Sequence, residues 1–434
     1  MKRILIVVSL CLVASGAAFS QKKVLKEVKS ALDKGSFNEA RELIKPALTD
    51  PETATSPDTW KLAGDIEFKS ADKEVDNERL KDFNKGAGWN EEVLYTGMRN
   101  MIEPYLKADS LAQLPDEKGK VKNKVRKDIV KNITALYQYY PNGGVYYNQK
   151  SDTKNASAMF ELYWTIPQID IFTPEEAKVF NTADSSYQII KYYTIITALQ
   201  SDDKDRTINL LKKIISEPYI ENATQKESDP YELLANEYIT KGDTVNYLEM
   251  LKVGSSKFPS NQYFTSNLIN EYIKAGEKDK AIDFLDQAIA AGNTSDICMF
   301  SSVKGSLYLD SKEYDKALEI YQTTLTNDPS CERSMEGLGL VYAFKAQDIK
   351  ESIVNLSRKE QVEADKQTVD LYMKAMEQFE KLYNTQTERA DSKSNIKKTL
   401  QKLQNVYYNL SLLNVDKEKE LKDVDAQLEE LKYE

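Results

Sequence analysis

The sequence predicts an all-α chain, a solenoid of stacked helical hairpins, and three observations carry that prediction. Tyr238, Tyr272, Tyr308 and Tyr342 lie 34, 36 and 34 residues apart, with Ala235, Ile269, Gly305 and Gly339 three positions before them. Ala281 and Ala317 follow the middle two tyrosines by nine residues, and Pro259 and Pro329 follow the first and third by twenty-one. A period of about 34 residues holding two short amphipathic patterns marks a helix–turn–helix array. In such an array small residues fall where paired helices approach, and an aromatic fills the space beside them. Composition agrees: 41% of the 434 residues are apolar, 26 are tyrosines, and only 16 are glycines and 12 prolines. That supplies packing knobs, few turns and little strand-like alternation.

Taken in order, residues 1–20 read as a secretory leader. Lys2 and Arg3 open it, residues 4–17 form the apolar run, and Ala18-Phe19-Ser20 offers a cleavage site before Gln21. The run is short for a bilayer span, and the bulky Leu10 before Cys11 argues against lipid attachment. The localisation this implies is periplasmic or secreted. Val24 to Leu48 reads as the first hairpin: Val24, Val28 and Leu32 share one face, Gly35 breaks the chain, and Ala40, Ile44 and Ala47 resume the stripe. Ser56 or Asp58 would cap the helix that carries Trp60.

Residues 72–93 read as an insertion in the second unit, with Gly86, Gly88 and Trp89. Leu94–Leu111 reads as one helix kinked at Pro104. Lys118–Lys131 carries seven bases and one acid. Val121, Val125, Ile129 and Ile133 recur every four residues there, so the bases read as the solvated face of a helix rather than a dock for anions. Gly143-Gly144 opens a further hairpin that ends at Pro167. Thr173 is a cap, with Pro174 at the first helical position. Tyr187–Ile215 forms the next pair. Asp202, Asp203 and Asp205 between its helices lack the alternating ligands and central glycine of a calcium loop, so they read as turn and cap residues.

The best-patterned array spans residues 227–346. Beyond it, a stretched repeat with a helix at Val369–Tyr383 leads to a hairpin beginning near Leu400. An amphipathic helix with Leu421, Val424, Leu428 and Leu431 then gives the polar end-cap that a repeat array needs. The resulting organisation is a leader (1–20), N-terminal repeats (21–112), middle repeats (113–226), the central array (227–346) and a C-terminal repeat with capping helix (347–434).

The segment Cys298–Pro329 places Gly305, Tyr308, Tyr314, Ala317, Tyr321 and Pro329 in a register that resembles the tetratricopeptide repeat. Trp60, Gly64 and Phe68 match the same pattern, as do Gly144, Tyr147, Ala156, Phe160 and Pro167. The resemblance implies a right-handed superhelical α-solenoid of about seven to nine hairpins. It also implies a non-enzymatic scaffold or adaptor that binds a peptide or protein on the concave surface made by the first helix of each pair. Carried over position by position, the inward polar residues are Glu232, Asn236, Ser266, Asn270, Ser302, Ser306 and Glu336. Asn236 and Asn270 recur 34 residues apart, and an amide can both donate to and accept from a peptide backbone. The lysines of the family's clamp for chaperone tails are absent from this register.

Catalytic patterns are missing. The chain has no histidine, which removes the usual general base and the commonest metal ligand. There is no phosphate-cradling glycine loop and no cysteine spacing suited to zinc. The expectation is no enzyme activity, no metal and no cofactor. A net charge of −10, two units more negative without the leader, argues against a nucleic-acid partner. No second long apolar run exists, so no membrane span is expected after leader removal; the oligomeric state stays open.

Cys298 and Cys331 stand one repeat apart, and a bridge between them would be worth about 3–4 kcal/mol. Neighbouring helix axes roughly 8–10 Å apart weigh against it. The alternative function is a carbohydrate-binding envelope protein using exposed tyrosines. Its sign would be a contiguous exposed patch of Tyr146, Tyr163 and Tyr263.

Overall fold

The computed structural model describes residues 23–80, 88–292, 294–353 and 357–431, so the leader lies outside the described residues. The chain forms two compact units that meet in sequence at Lys241 and Gly242. Every element among the described residues is helical apart from one isolated bridge, Asn222 to Gln225.

In the first unit, α1 (23–33) and α2 (Phe37–Thr49) form the expected hairpin, turned by Gly35 at φ +74°. That backbone angle favours glycine, which has no Cβ to clash. Val28, Ala31 and Leu32 pack on Ala40 and Ile44, and on Leu62 and Ile66 of α3 (Pro57–Arg79). The Arg41 guanidinium donates to both oxygens of Glu67 at 2.8 Å, pinning α2 to α3. Ser56 takes the cap position without a side-chain bond, and Pro57 begins the helix. Contrary to the expected insertion, residues 72–79 continue α3, with Val75 only 1% exposed; residues 81–87 lie outside the described residues.

The helix expected at Leu94–Leu111 is two helices, α4 (Glu91–Asn100) and α5 (Ile102–Ala112), parted at Met101. Pro104 explains the position of the break. Proline has no N–H for the carbonyl of Asn100, and its ring crowds that carbonyl, so continuity fails one turn upstream. A second correction concerns the basic segment, whose helix α6 begins only at Arg126 and ends at Leu136. The Asn123 side-chain oxygen accepts from the amides of Val125 and Arg126 at 3.2 and 2.9 Å, fixing that start. Val121 is 52% exposed, outside the helix. Arg126 donates to buried Asp109 at 2.8 and 2.7 Å, so one of the seven bases is structural.

α7 (Tyr140–Gln149) and α8 (Thr153–Thr165) pair as expected. A Cβ on Gly144 would overlap the Phe160 ring, which is why the position is small. Thr173 and Glu176 form a capping box on the short α9 (Pro174–Ala177). α10 (Ser185–Leu199) and α11 (Lys204–Ile215) follow, the latter capped by Asp203 accepting from the Arg206 amide. Asp205 pairs with Lys241 at 2.5 Å, and Asp202 has φ +56° in the turn, so the three aspartates do cap and turn. α12 (Asp229–Lys241) packs on α11 and closes the unit.

In the second unit, α13 (Thr244–Lys257), α14 (Gln262–Lys274), α15 (Lys278–Ala291), α16 (Thr294–Asp310) and α17 (Tyr314–Asn327) pack each on the next. Gly254 accommodates the Phe264 ring, while Gly305 and Gly337 both face Tyr321. The stretched repeat is made of two lengthened helices, α18 (Glu332–Ser352) and α19 (Arg358–Glu388). α20 (Lys393–Leu412) and α21 (Glu418–Glu430) finish the chain. Val424 and Leu428 of α21 cover the core of Tyr372, Phe379, Leu403 and Leu410, as an end-cap should. Each such fully buried leucine or phenylalanine contributes about 1.5–3 kcal/mol.

Candidate functional site

The expected partner face divides between the units. In the first, α12 carries Glu232, half-buried, and Asn236, exposed. In the second, Ser266 is half-buried and Asn270 exposed on α14, and Ser306 is exposed on α16. Ser302 corrects the expectation: it is 7% exposed, donates to the Cys298 carbonyl at 2.7 Å and meets Ser334 Oγ at 3.2 Å. The first turn of α18 covers it, and it serves packing. Ser306 donates to the Ser302 carbonyl at 3.0 Å, and its hydroxyl lies 3.2 Å from that of Tyr321. Glu336 lies 2.9 Å from the Lys402 ammonium, which connects it to a groove that the repeat register did not single out.

This groove opens between α18 and α20 over a floor from α19, with a volume of about 310 Å³. Leu340, Ala343 and Phe344 line one wall, and Tyr372 and Phe379 line the floor. Lys398, Gln401, Lys402, Asn405 and Val406 form the other wall. Phe344 is 45% exposed, a large ring kept partly in water. Burial raises the pKa of the Tyr372 hydroxyl, so the floor stays neutral. The Lys398 ammonium and the Gln401 amide make no hydrogen bond or ion pair with any described residue, although the Lys398 carbonyl accepts from Lys402 at 3.2 Å. Aromatic rings beside unsatisfied polar groups are what one anchoring side chain of a partner requires.

A separate trough of about 740 Å³ lies within the first unit. Trp60, Ile102, Leu106 and Leu162 give it apolar surface, with Arg99, Glu103, Lys107 and Glu161 among its charged groups. Arg99 donates to Asn155 and Arg206 to Glu161, so two of these features are tied into the fold. Trp60 donates its ring N–H to the Ala54 carbonyl at 2.7 Å.

Cys298 and Cys331 form a disulfide, with Cα atoms 5.7 Å apart. The axis-to-axis objection does not apply because Cys331 is the N-cap residue of α18, lying off the cylinder of the helix. Asp328 completes the one grouping of metal-type ligands found among the described residues. The two sulfurs are bonded to each other and have no thiolate to offer.

The tyrosine patch does not form. Tyr163 is 9% exposed and stacks on Tyr137 at 4.6 Å, in the core of the first unit. Tyr146 is half-buried, with its hydroxyl on Glu92 at 3.1 Å, and Tyr263 in the second unit lies edge-on to Phe264 at 5.2 Å. These three rings pack against neighbouring aromatics.

No protein-family model matches the sequence, and no curated protein matches it. Solved structures give fold likenesses. One is the C-terminal part of a tetratricopeptide-repeat-containing protein from Cytophaga hutchinsonii, 12% identical, covering 62% of this chain and 95% of that one at a TM-score of 0.32. Another is the TPR2AB domain of yeast Sti1 in its complex with pHSP90, 12% identical, covering 68% and 99% at 0.24. A third is the human IFIT1 dimer with PPP-AAAA, 16% identical, covering 87% and 82% at 0.25. Scores this low carry no inference about ligands. The chain has a tetratricopeptide-type fold of helical hairpins, with its own pairing of small residues against aromatic rings as the warrant.

Proposed function

We propose that this chain is a non-enzymatic scaffold of the bacterial cell envelope that holds a peptide or protein segment against the first helices of its repeats. The observation that carries the reading is the α18–α20 groove, where an exposed Phe344, an apolar floor and unpartnered polar groups share one hollow. The envelope setting rests on the leader-like residues 1–20. Among the described residues no helix is long and apolar enough to cross a membrane. The carbohydrate alternative loses its support with Tyr163 in the core.

The test is a photo-crosslinking residue placed at position 344 of the chain in its native cell. Position 362, where Val362 of α19 is 60% exposed, is the control. A discrete protein adduct from 344 and none from 362, on a chain whose mature N-terminus is Gln21, is the expected outcome. Adducts equal at both positions, or none at either, overturn the scaffold reading; an intact Met1 overturns the export reading.

A further inference from the structure

In a chain with 69 acidic and 59 basic side chains, α20 carries Lys393, Lys397, Lys398 and Lys402 and no acid at all, and residues 413–415 add none. The acids that approach α20 from neighbouring elements are already engaged. Glu380 of α19 accepts from the Tyr407 hydroxyl at 2.7 Å. Asp425 of α21 accepts from Gln404 at 2.6 Å, and Glu336 of α18 takes Lys402. Lys398, exposed on the groove wall, makes no ion pair with any described residue. The hollow beside it, about 310 Å³ with Phe344 and Tyr372 among its lining residues, is too small to hold more than part of a peptide.

We propose that the α18–α20 groove selects an acidic peptide segment. Side-chain carboxylates of the segment meet the Lys398 ammonium, and an adjacent aromatic or aliphatic side chain enters the hollow beside Phe344. The inference rests on the scaffold reading and narrows it to one partner chemistry. Charge complementarity of this kind sets choice of partner and encounter rate more than total affinity. The free Lys398 ammonium is exposed, so the selectivity weakens as salt shortens the reach of its field.

The experiment captures a degenerate peptide library on the immobilised full chain, with Phe344→Asp and Lys398→Glu chains in parallel. Every peptide is amidated at its C-terminus so that only side chains supply negative charge. Both substituted residues are exposed, and circular dichroism confirms that each variant keeps its helices. The expected result is a captured pool several-fold enriched in Asp or Glu beside Leu or Phe. Phe344→Asp loses the capture, and Lys398→Glu loses the acidic enrichment. A pool enriched in apolar residues alone, and lost with Phe344→Asp, overturns the acidic assignment and leaves the scaffold reading standing. A pool identical on the parent and Phe344→Asp chains overturns both.

Discussion

The Lys191 ammonium lies 2.7 Å from the Glu217 carboxylate with its own side chain 4% exposed, and the Trp164 ring N–H donates to that carboxylate at 2.9 Å. Lys213 reaches the other oxygen at 3.2 Å, and Gln168 donates to it at 3.1 Å. The pair joins α10 to the segment after α11. Removing Glu217 leaves the buried Lys191 ammonium without its carboxylate, which costs about 3–5 kcal/mol. Glu217→Gln is expected to lower the unfolding free energy read from urea denaturation by an amount in that range, and Lys191→Met by less, because Lys213 and the Trp164 N–H stay on the carboxylate. A change under about 1 kcal/mol would place the pair among ordinary surface bridges.

The same carboxylate makes stability depend on pH. Burial pushes the Glu217 pKa up, but hydrogen bonds from Lys191 and Trp164, with the lysine charge, more than offset it and hold it below the usual value of 4.5. A depressed carboxylate stabilises the fold above its unfolded value and stops doing so as pH falls through the lower folded one. The expected outcome is a loss of stability below pH 4.5 that is smaller in Glu217→Gln, read from denaturant unfolding at several pH values.

Tyr321 is held between two glycines, and an added Cβ at Gly305 or Gly337 would overlap its ring. On helix propensity alone Gly→Ala gains about 0.5–1 kcal/mol. Overpacking costs about 1–3 kcal/mol. The clash wins, so Gly305→Ala is expected to destabilise the second unit, and to become neutral or stabilising in a Tyr321→Ala background. Thermal unfolding of the four chains of that cycle decides it.

The Cys298–Cys331 bridge closes a separation of 33 residues, for which the chain-entropy model gives about 3–4 kcal/mol. Cys298→Ser with Cys331→Ser is expected to lose about that much in oxidising buffer and to be indifferent to added reductant. If the parent chain is equally indifferent, the bridge does not stabilise the fold.

How far the sequence could be read depended on the range of the physics involved. Gly144 against Phe160 and Gly305 against Tyr321 were legible because a repeat writes a three-dimensional neighbour as a fixed spacing. The break at Met101 was half legible: Pro104 announced it, but the lost bond falls four residues upstream of the proline. Val121 fitted the helical period and still lies in irregular chain ahead of the helix, because the Asn123 side chain decided where α6 begins. The polar run after Ala71 hid the continuation of α3, whose few buried positions, Val75 among them, are too sparse to show a stripe. The groove was least legible. Phe344 and Lys398 belong to helices separated by a long intervening one, and no local pattern links them. The one available sign was a lysine-bearing helix without acids. Ser302 was misplaced because register gives a face but not the turn of chain that covers it.

The bridge between consecutive repeats has a mechanical corollary. If the second unit is pulled apart from its ends, the helices outside the bridged stretch can lengthen freely, but the enclosed 33-residue span cannot. At roughly 3.3–3.6 Å per residue, on the order of 110 Å of slack stays locked behind one sulfur–sulfur bond. A tethered molecule under load would thus extend by two different lengths, depending only on the redox state of its surroundings.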